Sequence, residues 1–491
     1  MATYLFYDVE TTGLSAPFDQ ILEFAALRTD ENFEVIEEHD IQVRLRPDVV
    51  PAPEALLTHR ISVSDARAAS HTEIEAVRTI HNLVNEPGTI SLGYNTLGFD
   101  DDVLRFSFYR NLLDPYTHQW KDECQRMDLY PMTVLYWLLG SEMLDWPTLA
   151  GNTTLKLEHL GAANAFDDHP DHQSHTALSD VRETRRLAQA LAEDGELWDE
   201  VTAHFERTME EARINALPTF TIGDREVPIG LMVDGAFTAA NNYQRPVIGL
   251  GTHRHYSNQT CWLALDTPSL PGVATRPIQP DTEVFFKKKA VPQFLVSWED
   301  ERINRLGDKR RAIVQKNLQW LRDHPSTFYE IAGYYRERTH PKLPHVDADA
   351  ALYQADVFND HEQAAFVRFH EASTIEEKLR VMRDMNERTF QTLALRIILR
   401  NEPEAAWPDI VRAYAQTYWR RINPRTRSDV LIDHQGNTRR TPADAKRTIE
   451  TLRAEGFNGE PLDDEQHDLL DELEAYLETE FDAPRPASSM S

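Results

Sequence analysis

Cysteine is nearly absent. Cys124 and Cys261 are the only two in 491 residues, which excludes a disulfide framework and fits a reducing compartment. Basic charge is short as well: 51 Lys and Arg stand against 81 Asp and Glu, a net charge of −30, and lysine is the scarcer of the two cations. That balance argues against a uniformly basic nucleic-acid surface. It does not exclude a local basic groove, because overall charge governs solubility and long-range steering. No apolar run approaches the roughly 18–20 residues of a membrane span. The chain enters a strand pattern at once, with no basic stretch or small-residue cleavage site of a secretory leader. A cytoplasmic protein without membrane association is expected.

The acidity is uneven. Residues 1–200 carry 36 acids and 14 Lys or Arg, whereas residues 271–345 carry 14 Lys or Arg and 9 acids. A chain of this length is expected to fold as two or three domains. Its first part reads as strands at 3–10, 20–30 and 35–45, then a helical stretch over 64–84, a buried strand "TISLGYN" and a helix "DDVLRFSFYRNLL". That order predicts an α/β layered domain over 1–198. Between 217 and 300 the Pro and Gly punctuation and short β-rich pieces such as "VIGLGTHRHY" and "TCWLALDT" predict a small β-domain within 199–345. Residues 346–482 read as helical, and the Pro/Ser-rich tail 483–491 as disordered. No fixed-period repeat is evident.

The chemistry starts at "TYLFYDVETTGL". Asp8 and Glu10, two apart on a strand, share one face. Two acids side by side repel each other and are costly to desolvate, and a divalent cation with its preference for oxygen donors removes both objections. Taken alone, such a pair is more often a solvated strand end. "GYNTLGFDDDVLRF" places Asn95 and Asp100 where a strand passes into a helix; acids there also complement a helix dipole. "HQSHTALSDVRETRRLAQAL" places His175 five residues before Asp180, on a stretch that is amphipathic from Ala177 onward. Five helical positions are roughly 140° apart. His175 therefore belongs at the frayed start of that helix, swinging over the region that Asp180 faces.

D-x-E-T-T-G-L, N-x-x-x-F-D and H-x-x-x-x-D, in that order over the first 180 residues, resemble the DEDDh 3′→5′ exonucleases. The likeness extends to the bacterial, single-strand-specific branch of that family through "TLKLEHLGAANAF", "VDGAF" and "NLQWLRDHP". The resemblance implies an RNase H-like exonuclease domain, an SH3-like β-domain and an α-helical C-terminal domain. It implies processive 3′→5′ hydrolysis of single-stranded DNA to 5′-mononucleotides, in repair and recombination, by a monomer. Asp8, Glu10, Asp100 and Asp180 would hold two Mg²⁺ ions, replaceable by Mn²⁺, with His175 as the general base. Asp101 and Asp102 leave the register of the third acid ambiguous, and the family's F-D order favours Asp100.

For the substrate, the resemblance points to Glu10, Asn95, Lys156, Tyr116 and Trp120. Lys156 stands where the family has an arginine, and keeps the charge without the bidentate grip. Tyr116 and Trp120 match aromatics placed near the DNA path, although a core position explains them equally. Lys287 to Lys289, Arg310 and Arg311 are candidate phosphate contacts or simply a solvated charge run. Known members dock the acidic tail of single-stranded DNA-binding protein; Arg322 fits that pattern, and Glu299 departs from it. The competing readings are an RNA-directed DEDDh nuclease and a non-catalytic single-strand-binding scaffold. The second would be marked by loss of a motif acid, and all four acids and the histidine are present.

Overall fold

The computed structural model describes residues 2–166, 176–268, 270, 283–339, 341–354, 358–426 and 429–482. Strands β1 (Thr3–Thr11), β2 (Ile21–Thr29), β3 (Val35–Gln42), β4 (Thr89–Leu92) and β5 (Gln125–Arg126) form a mixed sheet in the order β3-β2-β1-β4-β5. The first three are antiparallel neighbours, and β4 runs parallel to β1. Helices α1 (Pro53–His59), α2 (Val63–Ala68) and α3 (Glu73–Val84) precede β4, and α4 (Asp100–Arg110) follows it. Next come α5 (Leu129–Leu138), the small hairpin β6 (Thr148–Leu149) and β7 (Asn152–Thr153), α6 (Leu157–Asn164) and α7 (Ala177–Leu191).

Alternation sorts β1 into two faces. Leu5, Tyr7 and Val9 enter a cluster with Val77 and Ile80 of α3 and Leu104 of α4. Phe6 faces the other way, into the cluster that holds Val181, Leu187 and Ala188 of α7. The strand is thus buried on both sides, and its even-numbered face lies under α7.

The single helical stretch expected over 64–84 is two helices. Thr72 and Glu75 form a capping box, in which Glu75 Oε2 accepts from Thr72 N at 2.9 Å, and this starts α3 afresh. The residues between are drawn to the sheet edge, where His71 bridges Val43 and its carbonyl accepts from Arg44 N.

Helices α8 (Gly195–Thr202) and α9 (Arg207–Ala216) lead into the second region. Its strands are β8 (Thr219–Ile222), β9 (Arg225–Val233), β10 (Gln244–Thr252), β11 (Gln259–Ala264), β12 (Val284–Lys288) and β13 (Phe294–Ser297). They form one six-stranded antiparallel sheet, ordered β12-β11-β10-β9-β13 with β8 beside β9. Helices α10 (Asp308–Asp323) and α11 (Pro325–Glu337) close its core through Leu321, Phe328 and Ile331. The third region is helical: α12 (Asp360–Glu371), α13 (Ile375–Asp384), α14 (Arg388–Asn401), α15 (Asp409–Ile422), α16 (Pro442–Glu455) and α17 (Asp464–Leu477). Among the described residues no helix is long and apolar enough to cross a membrane. The tail 483–491 lies outside the described residues.

The helical region is joined to the α/β region by buried charge. Arg400 of α14 contacts Asp48 at 2.8 Å and Asp349 at 2.5 Å; Arg396 contacts Asp347 at 2.5 Å. Arg46 and Arg110 both hold Glu73, at 2.7 and 2.9 Å, and Arg439 reaches Asp48. The Tyr418 hydroxyl donates to Asp48 at 2.7 Å. Burial alone would push Asp48 up, but Arg400, Arg46 and Arg439 hold it well below the usual carboxylate range. Glu73, opposed by burial in the same way, is held at about 2 by Arg110 and Arg46. Removing one member of such a set strands its partners without water.

Arg400→Met is therefore expected to cost about 3–5 kcal/mol in urea unfolding. Removing the exposed Arg182–Glu38 pair should change stability by less than about 1 kcal/mol. Equal losses in the two variants would show that the buried set is no more than a surface-type pair.

Candidate active site

Asp8 and Glu10 continue the β1 face begun by Phe6, so both lie on the side covered by α7. Asp180 sits in the first turn of α7, where the Thr176 side chain caps the helix by accepting from Ser179 N. Asp100 opens α4. Strand β4 ends opposite Phe6, and the turn after it leads to Asp100, near enough for its charge to act on Asp8. Three separate elements thereby bring Asp8, Glu10, Asp100 and Asp180 to one end of the sheet.

These acids raise one another. Burial pushes Asp8 well above the usual carboxylate range, and Asp100, Asp180 and Glu10 push it further. Glu10 is raised to about 8 by burial, then by Asp180, Glu23 and Asp100. Asp100 also reaches about 8, chiefly through burial. Glu23 is a fifth member, directly opposite Glu10 in the β1–β2 register and raised to about 7 by burial, Asp40 and Asp180. Sequence reasoning missed it, although a glutamate inside the otherwise apolar strand "ILEFAAL" was the available signal.

Three consecutive aspartates open α4, and their partners tell them apart. Asp101 is fully buried and accepts from Arg105, Arg126 and His118 Nε2. Burial works against its charge, and Arg126 and Arg105 still hold it well below the usual range. Asp102 pairs with Arg105 at 3.1 Å and accepts from the Tyr353 hydroxyl at 3.0 Å. Asp100 is the one whose charge acts on Asp8. His175 lies outside the described residues.

Beside the acids runs a cleft of about 660 Å³, lined by Asn95, Lys156 and Asp180 together with Tyr94, Tyr130 and Tyr243. Asn95 takes the left-handed conformation (φ 66°), and its N–H donates to the Asp128 carboxylate at 2.8 Å. Asp128 also accepts from Leu97 N and Tyr130 N, which fixes the turn between β4 and α4 to the start of α5. Lys156 is largely exposed, with Glu158 at 3.3 Å. The tyrosines went unnoticed in the sequence: Tyr94 and Tyr130 have ring centroids 5.3 Å apart, and Tyr243 comes from the β-domain. Gly235 of "VDGAF" packs so closely on Tyr130 that a Cβ there would sit 2.0 Å from the ring.

Tyr116 and Trp120 part company. Tyr116 is half-buried against the core of the helical region, whereas Trp120 is 68% exposed. Four of the five cations considered as phosphate contacts are used internally, which corrects that expectation. Lys287 is buried in an ion pair with Glu210 and donates to the Val291 carbonyl, and Lys289 pairs with Glu211 at 2.5 Å. Arg310 binds Asp266 at 2.6 Å, and Arg311 donates to the Leu306 carbonyl and Asn304. Lys288 is the exposed member of the run. Arg322, in the last turn of α10, stacks its guanidinium 4.4 Å above the Phe220 ring.

A set of oxygen donors that raise one another's pKa is short of positive charge, and it suits a hard divalent cation. Among the described residues no three acidic, imidazole or thiol groups converge into a finished ion cage. The acids interact electrostatically instead of sharing a ligating distance.

Residues 5–188 match the Exonuclease (RNase T) family model and form an exonuclease domain. Beyond that domain the chain is similar to exodeoxyribonuclease I. It is 29% identical to that of Escherichia coli (strain K12) over 390 residues, 74% of this chain and 78% of the relative. With exodeoxyribonuclease I of Buchnera aphidicola subsp. Schizaphis graminum it shares 33% identity over 38% of this chain and 39% of the relative. Its fold matches the crystal structure of E. coli exonuclease I in complex with a dA16 oligonucleotide, with a TM-score of 0.79 at 24% identity over 98% and 100% of the two chains. A zinc-bound form of the E. coli complex with single-stranded DNA gives the same TM-score at 24% identity, over 98% and 99% of the chains.

Because Glu10 and Asp100 hold their protons up to about 8, against about 4 in an unfolded chain, the folded protein binds more protons across that window. Their contribution to stability therefore falls as pH rises from about 4 toward about 8. Glu10→Gln and Asp100→Asn should raise the thermal midpoint of chelator-treated protein at pH 8, and much less at pH 5. A destabilising effect of both at pH 8 would contradict mutual repulsion as the dominant feature of the site.

Proposed function

We propose that this protein is a 3′→5′ exonuclease that degrades single-stranded DNA processively to 5′-mononucleotides. The observation that carries the reading is the convergence of Asp8, Glu10, Asp100 and Asp180 at the end of β1 within an exonuclease domain. The relatives' name and the DNA in the similar E. coli structures support the substrate. An RNA-directed nuclease and a non-catalytic scaffold are not favoured, and the four retained acids oppose the scaffold.

Asp8, Glu10, Asp100 and Asp180 would hold two divalent cations, and Mg²⁺ is the ion proposed, with Mn²⁺ as a substitute. A bound pair would supply charge stabilisation to the attacking and leaving oxygens of an in-line displacement at phosphorus. His175 would accept the proton of the attacking water on a ring nitrogen, a role suited to an imidazole that titrates near pH 6.5. Lys156 places an ammonium in the cleft for a backbone phosphate; its contact with Glu158 is exposed and weak. Asn95 offers a side-chain amide from a backbone fixed by Asp128, and the tyrosines of the cleft offer faces on which bases of any sequence can stack. Tyr116 and Trp120 belong further along the strand in this reading, Trp120 as the exposed surface. A monomer acting in the cytoplasm, in repair and recombination, completes the proposal.

Mg²⁺-dependent digestion of 3′-end-labelled single-stranded DNA, compared with duplex and RNA, tests it. Single-stranded DNA should be degraded fastest, and His175→Asn should slow hydrolysis by about 10²-fold or more while DNA binding persists. Wild-type hydrolysis by that variant, or preference for RNA, would contradict the proposal.

Docking of the acidic tail of single-stranded DNA-binding protein at Arg322 is part of the same proposal. An acidic C-terminal peptide should be retained at low salt and lost with Arg322→Ala. Retention unaffected by Arg322→Ala would remove that assignment.

A further inference from the structure

The loop between β1 and β2, Thr12 to Gln20, begins two residues after Glu10, and its conformation is set from the far end of the chain. Asp19, almost fully buried, accepts from the Thr12 hydroxyl at 3.0 Å and from Ser15 N at 2.9 Å. Thr12 in turn exchanges backbone and side-chain hydrogen bonds with Gln20. The cation on Asp19 is Arg440, whose Nη1 lies 3.1 Å from Oδ1 and also donates to the Val50 carbonyl at 3.2 Å. Gly13 lies against this pair. A Cβ there would stand 2.7 Å from Asp19 Oδ2 and 2.9 Å from Arg440 Nη2. The glycine of the T-T-G-L motif thus packs against a contact that spans the sequence, and a side chain there would have to displace Asp19 or Arg440.

Arg440 is itself held on both sides. The turn before it is closed by bridges from Ile432 to Val346 and Thr438, and by Asp433 accepting from Gln435 N and Asn437 N. Arg439 is buried, donating to the Tyr418 hydroxyl at 3.0 Å. Thr441 caps α16 in a capping box with Asp444. The Arg440 backbone has little freedom, so its side chain works as a fixed strut. The loop it braces leaves β1 at a register shift between Glu10 and Thr11 and presents Leu14, 85% exposed.

We propose that Arg440 is a positioning residue for the nuclease reaction: through Asp19 it fixes the Thr12–Asp19 loop and with it the end of β1 that carries Asp8 and Glu10. The inference rests on the nuclease reading above. It gives the helical region a direct part in catalytic geometry, without any contact between Arg440 and the substrate. Loss of the guanidinium leaves the Asp19 carboxylate beside Gly13 without its cation, and the loop must shift to hydrate it. Rates at a reacting centre are sensitive to displacements of this kind even when binding is spared.

The test uses the full chain with Arg440→Ala, Arg440→Lys and Asp19→Asn. Amide hydrogen exchange over residues 12–19 should accelerate in Arg440→Ala while exchange in α14 and α15 stays as in wild type. On a long single-stranded DNA, kcat should fall about tenfold or more with KM within about twofold. Arg440→Lys should recover part of kcat, because an ammonium can reach Asp19 without also bracing Val50. Wild-type exchange in the loop of Arg440→Ala would overturn the proposal. So would an unchanged kcat, or a loss shared equally by kcat and global stability with no Lys recovery. Should the wild-type chain fail to digest DNA, the nuclease reading fails, and the exchange experiment still decides whether Arg440 holds the loop.

Discussion

Two populations of buried carboxylates are set apart by whether a guanidinium reaches them. Asp48, Glu73, Asp101 and Asp349 are clasped by arginines and kept ionised despite burial, and Arg396 also pairs with Asp347. Asp8, Glu10, Glu23 and Asp100 are raised by burial and by one another. Desolvated charge is costly in both cases. The first population is neutralised within the chain and holds the domains together. The second leaves a demand for positive charge, which in the proposed function a divalent cation would meet. At the start of α4 the two meet in adjacent residues, where Asp101 anchors the helix and Asp100 faces the site.

The same division explains how so acidic a chain can work on a polyanion. Arginine is plentiful, but many guanidiniums are committed to internal pairs, as are Lys287 and Lys289 of the most basic run. The DNA grip proposed here therefore relies on exposed Lys156 and on tyrosine faces in the cleft between the α/β and β regions. Stacking needs no net positive charge, so an acidic protein can hold a single strand by it.

The domains are interlocked through the catalytic end. Tyr353 and His434 of the helical region pack on Phe106 of α4, and Tyr353 also bonds Asp102. Arg440 braces the loop after β1, and Gly235 of the β-domain abuts Tyr130 beside the cleft. Helix α4, the loop after β1 and the start of α5 are thus each touched by a region distant in sequence.

What the sequence determined by itself was local. Alternation placed Asp8 and Glu10 on one face, helical periodicity placed Asp180 near the start of α7, and Pro and Gly spacing announced the β-domain, because these follow from repeats of two and 3.6 residues. The motif order was enough to suggest an exonuclease. The break at Ala69–Thr72 was also written locally, as a capping box, and was obscured by the helical run around it. Only the tertiary structure decided which acids are paired and which are left bare. Pairing depends largely on arginines tens to hundreds of residues away, and even nearby Arg105 is within reach of both Asp101 and Asp102, so nothing in "FDDD" says which carboxylate it and Arg126 will bury. The same holds for Glu23, set opposite Glu10 by strand register, and for Lys287, drawn inward by Glu210. It holds for Gly13, which packs against Asp19 and an arginine more than 400 residues further on.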